Sequence, residues 1–196
     1  MSRTAILALV ALGAVLAGAA LSTNARRLQD DDNGPQAARA ASPQRKILDW
    51  NETYGSGDDE LGFLVEDLEV LENGWRARVG LENRSSVPYE VGGVSPSLGR
   101  RFGLMLFHTG DASELEEKNQ SGTLPAVRPA TRFEPPLPPI LEPGKAWRGT
   151  ISAPGPLVAD SWVRVAFGPL VSVGKAPDEL SDEVTWITDK TVQLKG

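Results

Sequence analysis

An unbroken apolar run over residues 4–21, behind a single Arg3, heads this chain and has no counterpart later, so whatever follows must build its core from short segments. The run has the parts of a secretory signal: a basic start, an apolar stretch over residues 4–16, and the small residues Ala17-Gly18-Ala19 at an A-x-A-like cut. It also approaches the length of an anchor. Its eighteen residues, each rising 1.5 Å, span about 27 Å against a hydrocarbon core of about 30 Å. Arg3 precedes it and Arg26 and Arg27 follow it, so flanking charge sets no orientation. A buried core helix would need a polar face that this run lacks. A hydrophobic helix over residues 1–21 is therefore expected. Whether it is a cleaved signal or a retained anchor, it sends the remainder across or onto a membrane.

Leu16-Ala17-Gly18-Ala19 resembles a bacterial lipobox with Ala19 where the lipid-accepting Cys would stand. The chain has no cysteine at all, which excludes lipidation by that route and leaves an exported domain to rely on its core rather than on disulfides. The formal charge is −6, and setting aside Arg3, Arg26 and Arg27 leaves −9 on residues 28–196. Such a body repels phosphate backbones, so nucleic acid is excluded as a partner.

Residues 22–46 run through Asp30-Asp31-Asp32-Asn33-Gly34-Pro35 and an Ala/Gln/Arg-rich stretch to Lys46. They hold little that could be buried, and a disordered linker is expected. Asp31, Asn33 and Gly34 hint at a calcium loop. The EF-hand pattern fails, however, because Gln29 stands at its first ligand position and Ala40 at its closing Glu. Residues 47–196 then suit one domain with a proper core.

Beyond Ile47 the chain changes to short apolar segments broken by Gly, Pro and Asn, the mark of an all-β domain. Trp75, Ala77, Val79 and Leu81 alternate with Arg76, Arg78, Gly80 and Glu82, which predicts a strand with one face buried and its arginines in water. Asn73-Gly74, immediately before it, predicts a hairpin turn, because both residue types tolerate positive φ. The partner strand covers residues 61–71. Its apolar parity switches between Val65 and Leu68, which predicts a bulge near Glu66-Asp67. Residues 87–91 contain Pro88 and read as an edge strand. Residues 102–107 are apolar on both faces and read as central. Asp111 and Glu114 have capping-box spacing, for one or two helical turns over residues 112–118. Glu142-Pro143-Gly144 turns the chain ahead of a strand at 147–152. Val163, Val165 and Phe167 mark one face of the next strand, over residues 162–167, and residues 171–173 and 184–187 complete the sheets. About seven or eight strands of this length predict an immunoglobulin-like antiparallel β-sandwich.

No motif in this body carries chemistry. His108 is the only histidine, and a Ser-His-Asp triad would have to use it. The nearest nucleophile-elbow pattern, Gly93-Val94-Ser95-Pro96-Ser97, lacks the closing Gly and has Pro within the turn. Zinc would need several Cys or His ligands. Acid pairs at Asp58/Asp59/Glu60, Glu66/Asp67 and Glu114/Glu116/Glu117 could in principle serve a hydrolase, or calcium at Asp58/Asp59, but neighbouring surface acids more often keep a protein soluble. The reading is no catalytic residue, no cofactor and no metal. Phe133-Glu134-Pro135-Pro136-Leu137-Pro138-Pro139-Ile140 holds two overlapping PxxP spacings and reads as a stiff loop along the sandwich edge rather than a ligand for an aromatic groove. The segment 109–139 is the longest without strand pattern, and long loops are often functional. Arg100, Arg101, Arg128 and Arg132 flank it as a basic feature on an acidic body. A recognition surface for an acidic or carbohydrate ligand is expected there, if anywhere. The five tryptophans fall about one per strand and read as core. Asn51, Asn83 and Asn119 open N-x-S/T triplets, which matter only in a eukaryotic secretory pathway.

Val79-Gly80-Leu81-Glu82-Asn83-Arg84-Ser85-Ser86, then residues 102–107, then Leu141-Glu142-Pro143-Gly144-Lys145 leading into Trp147, resemble the Ig-like domains of bacterial exported proteins. In those domains an N-x-S corner ends one strand and an L-x-P-G turn starts a later one. The pattern is similar to domains of unknown function, to stress-related lipoprotein modules and to a proteinase-inhibitor domain, and none of these implies a catalytic residue. The apolar head and a β-rich body without a chemical motif predict a non-catalytic extracytoplasmic binding or accessory module, attached to the membrane through its N-terminal segment or secreted across it, and meeting a protein or envelope ligand. The alternatives are an envelope hydrolase using paired carboxylates and a protease inhibitor presenting the 109–139 loop.

Overall fold

A computed structural model describes residues 38–91 and 102–196; the expected helix over residues 1–21, the linker up to residue 37, and Arg100 and Arg101 lie outside them. Twelve strands and one helix follow in chain order: β1 (Gln44–Ser56), β2 (Asp59–Leu71), β3 (Gly74–Asn83), β4 (Tyr89–Val91), β5 (Gly103–Phe107), α1 (Ala112–Ser121), β6 (Arg128–Pro129), β7 (Arg132–Glu134), β8 (Ile140–Leu141), β9 (Ala146–Pro154), β10 (Trp162–Ser172), β11 (Glu183–Ile187) and β12 (Val192–Gln193). One antiparallel sheet has the order β1-β2-β3-β9-β7. The other has the order β6-β5-β10-β4-β8, with β11 and β12 also paired to β10. The domain is all-β, and its two sheets share one core in which Phe63, Val79 and Ile151 meet Leu104, Val163 and Phe167.

β3 follows its alternation, with Trp75, Ala77, Val79 and Leu81 buried and Arg76 and Arg78 exposed. The bulge in β2 falls where parity switches, since Val65 pairs with Val79 but Asp67 with Arg78. β1 answers it with an irregularity of its own between Ile47 and Trp50, where Asp49 takes a φ of 46°. The β2–β3 hairpin closes through residues 72–73, because Leu71 already pairs with Gly74. Neither Asn73 nor Gly74 has the positive φ that the dipeptide suggested. Gly74 is required by β9 instead: a Cβ there would lie 2.7 Å from Ala153 O.

The folded body begins ahead of the Ile47 boundary. Ala40 bridges Val158, Ala41 is buried and donates to Leu157 O at 2.8 Å, and β1 starts at Gln44. Residues 87–91 are not an edge strand, because β4 lies between β10 and β8; Pro88 precedes the paired residues and removes no ladder bond. β4 and β5 run in the same sense along one side of β10, opposite residues 170–172 and 162–166. β10 therefore continues through Gly168 and Pro169, where a separate strand had been expected. Pro169 falls between the two partners on one side, and opposite the irregularity between Phe167 and Leu170 on the β11 side, so its missing N–H has no ladder bond to break.

The segment 109–139 is not one irregular loop. It holds α1, which is longer than the expected turns, and then β6 and β7. Asp111 caps α1 by accepting from Ser113 N at 2.9 Å. Glu114 does not complete a reciprocal box; it accepts from Thr109 N and Oγ1 at 3.1 and 2.9 Å. Residues 128–141 pass from β5 to β9 and back to β4, pairing with each in turn, and so stitch the two sheets together along one side. Trp147 Nε1 donates to Pro136 O at 3.2 Å within this strap.

Leu115, Leu124 and Val127 pack with Trp162 over Met105, Phe107 and Ala166 on the outer face of the second sheet. β10 is consequently buried on both faces, and Arg164, which its alternation would put in water, is 1% exposed.

Candidate functional site

The outer face of the first sheet carries the charges that the β3 alternation left in water. Because of the β2 bulge, Glu66 and Asp67 both reach Arg78: its Nη2 lies 2.6 Å from Asp67 Oδ2 and its Nε 3.6 Å from Glu66. Arg45 of β1 comes to the same Asp67 oxygen at 2.6 Å. Arg76 pairs with Glu69 at 2.7 Å, and Arg84 bridges Glu60 and Glu82 at 3.1 and 2.9 Å. Most of these are exposed pairs, worth about 0–1 kcal/mol each. Asp67, with 5% of its side chain exposed, is different. Burial alone would raise its carboxyl, but hydrogen bonds and charge from Arg78 and Arg45 outweigh that and hold it below the usual carboxylate range.

A carboxyl made more acidic by folding stabilises the folded state above its unfolded pKa, about 4, and that contribution is lost as pH falls through the lower folded value. Urea midpoints followed downward from about pH 6 should therefore begin to fall near pH 4. Asp67→Asn should remove part of that slope, and a variant profile parallel to the wild type would show that this carboxylate does not govern the acid limb.

Beside the charge lattice lies a depression. Asn51, Leu64, Gly80 and Arg148 stand in one cross-strand row, and Thr53, Gly62, Glu82 and Ala146 in the next. Gly62 and Gly80 floor a hollow of about 370 Å³, counting the open space above it. Asn51 and Leu64 line one side, and Arg148, Glu82, Arg84 and Ala146 the other. Neither glycine has a positive φ. What these two strand positions share is the lack of a side chain, and glycine inside a strand commonly marks a place where something approaches the sheet. A Cβ on Gly80 would lie 3.3 Å from Arg148 Cγ and Leu64 Cβ, and one on Gly62 3.3 Å from Glu82 Cβ. Arg148 Cγ can swing aside, but Leu64 Cβ and Glu82 Cβ are fixed by their own backbones, so alanine at either glycine fills the floor at the cost of a shift of a few tenths of an ångström between β2 and β3. Leu64 Cβ and Arg148 Cγ therefore stand no more than twice 3.3 Å apart over Gly80, which makes the floor a narrow slot between them. Arg148 is 68% exposed and its ion pair with Glu66 is long, at 3.6 Å, which leaves its donors available.

Of the arginines expected to form a recognition surface, Arg128 and Arg132 are described, and they stand on strands of different sheets. Arg128 on β6 donates to Pro156 O at 2.8 Å and edges an apolar hollow with Trp75, Val127 and Pro154. Arg132 on β7, in the other sheet, pairs with Glu134 at 2.6 Å. Arg100 and Arg101 lie outside the described residues, as does Gly93-Val94-Ser95-Pro96-Ser97. The depression is not legible in the sequence, where Gly80 is one outward position of the β3 alternation and Gly62 carries no signal of its own. The signal available was their alignment once β2 and β3 are paired through the bulge.

His108 is exposed at the end of β5, and its imidazole forms no hydrogen bond with a serine or carboxylate among the described residues. Asp59 accepts from Ser86 N and Oγ at 2.8 and 3.0 Å and so braces the corner after β3. Among the described residues no three His, Cys, Asp or Glu side chains gather as a metal site, and no helix is long and apolar enough to cross a membrane. Set against family models, curated proteins and solved structures, the chain matches none of them.

Proposed function

We propose that this chain is a non-catalytic extracytoplasmic binding module of immunoglobulin-like type, attached to or exported across a membrane by its apolar head, which receives its ligand on the outer face of the first sheet. The observation that carries this reading is the depression over Gly62 and Gly80, where four strands leave an open floor beside the available guanidinium of Arg148. The immunoglobulin-like assignment is supported by the corner at Asn83. That residue touches the turn which the resemblance pairs with it, since Asn83 Nδ2 donates to Leu141 O and Gly144 N donates to Asn83 O, at 2.8 and 2.7 Å. Against the hydrolase alternative, Glu66, Asp67, Glu60 and Glu114 are each engaged in ion pairs or hydrogen bonds.

The test pairs fractionation with capture. The native protein should be found with the membrane or outside the cytoplasm, and residues 38–196 should retain an envelope component. Gly62→Ala/Gly80→Ala, compared under conditions where circular dichroism shows it fully folded, should lose at least about tenfold in retention, the loss expected when about 1.4 kcal/mol of contact is blocked. A cytosolic protein, or a filled-in variant that binds as well as wild type, would overturn the assignment.

A further inference from the structure

The second sheet holds a charge arrangement that the binding face does not use. Arg164 is buried and, among the described residues, forms no ion pair with a carboxylate. Its Nη1 donates to Thr188 O at 2.7 Å and also to Asp189 O, and its Nη2 reaches Asp111 O at 3.3 Å. From the opposite sheet, Glu52 of β1 accepts from the other side of the same bend. Asp189 N and Lys190 N donate to its two oxygens at 3.0 and 3.1 Å, and Trp186 Nε1 at 2.9 Å. The bend at residues 188–190 thus turns its carbonyls toward a cation and its amides toward an anion. The peptide groups carry the field between two charges that never touch, one from each sheet.

We propose that this bend is a latch, and that residues 183–196 open from the sandwich as one unit when the charge on the Glu52 side is lost. Three observations define the unit. Within residues 183–196 only Val184, Thr188 and Leu194 are fully buried, while Trp186, Ile187 and Val192 pack half-buried against the cores, a lighter hold than that of β2 or β3. Its strand pairing is to β10 alone, through β11 and β12. Its ties to the first sheet run almost wholly through side chains, those of Glu52 and Gln44, with Lys195 N donating to Gln44 Oε1 at 3.1 Å and Gln44 Nε2 to Lys195 O at 2.9 Å. Ser42 N adds one backbone donor, to Lys195 O at 3.1 Å. Opening separates Trp186 from Phe63, on which it stacks with ring centroids 5.3 Å apart, and leaves the β10 edge at residues 166–171 without a partner.

Hydrogen exchange on the full chain tests the latch, with tryptophan emission as a second readout. Glu52→Gln keeps the shape and one acceptor oxygen but removes the charge and an acceptor. It should raise amide exchange in residues 183–196 at least about tenfold, shift tryptophan emission to the red, and leave β2 and β3 protected as in wild type. Gln44→Ala, which cuts a tie outside the bend, should raise exchange near Lys195 without releasing β11. Unchanged exchange across residues 183–196 in Glu52→Gln, or an equal rise in β2 and β3, would overturn the proposal. If Glu52→Gln does not fold, Trp186→Phe removes one of the three donors, and the same segment must then exchange faster than wild type for the latch to stand.

Discussion

Replacing Arg164 with alanine is expected to lower the unfolding free energy by about 2–4 kcal/mol, because three carbonyls lose a charged donor together. The guanidinium is enclosed, and burial pushes its pKa below the ordinary arginine value, against the opposing charges of Asp189, Glu52 and Glu114. Its plane lies over the Phe107 ring, 5.4 Å from the centroid, and its Nε is buried without a partner. That cost is met by carbonyls of Thr188, Asp189 and Asp111, which gather two loops onto β10. Removing the side chain orphans those carbonyls, at about 1–3 kcal/mol for a buried acceptor left unsatisfied, and opens a void beside Phe107. Lysine carries a single ammonium and cannot span three acceptors, so Arg164→Lys should recover less than half of the loss. Urea unfolding of the three proteins decides this, and a loss below about 1 kcal/mol in Arg164→Ala would mean that water replaces the guanidinium without difficulty.

The second large effect is expected at Asn83. This fully buried amide uses both ends: Nδ2 donates to Val87 O and Leu141 O, each at 2.8 Å, and Oδ1 accepts from Ser85 N and Ser85 Oγ at 2.9 and 2.7 Å. It joins the end of β3 to the strap that leads into β9. Asn83→Ala should lose about 2–4 kcal/mol, because several buried groups lose partners together. Asn83→Asp should fare no better, since a carboxylate would face two carbonyls. Ser85→Ala breaks only one arm and should lose about 1 kcal/mol. Equal midpoints for Asn83→Ala and Ser85→Ala would show that the amide does not organise the corner.

What was legible in the sequence followed from periodicity. The parity switch between Val65 and Leu68 located the β2 bulge because side chains alternate strictly along a strand, and one extra residue must move the apolar set to the other register. Short strands were not legible. β6, β7 and β8 are too brief to show alternation, so residues 109–139 read as loop although 128–129 pair with β5 and 132–134 with β9, and β8 just beyond them pairs with β4. Arg164 was concealed for a different reason. Its strand looked one-sided from Val163, Val165 and Phe167, and only the packing of Leu115, Leu124 and Val127 over the other face turns a solvent position into an interior one. The hollow over Gly62 and Gly80 depends on how four strands line up, which no single segment records.

The meeting of Ser42 and Gln44 with Lys195 brings the two ends of the described body to one pole. A peptide of a few residues could join them, so the domain is suited to circular permutation and to insertion within another protein as a self-contained cassette. Any stalk grafted at either end would leave from the same side and hold the turns between β1 and β2 and between β8 and β9 outward, like the head of a pin.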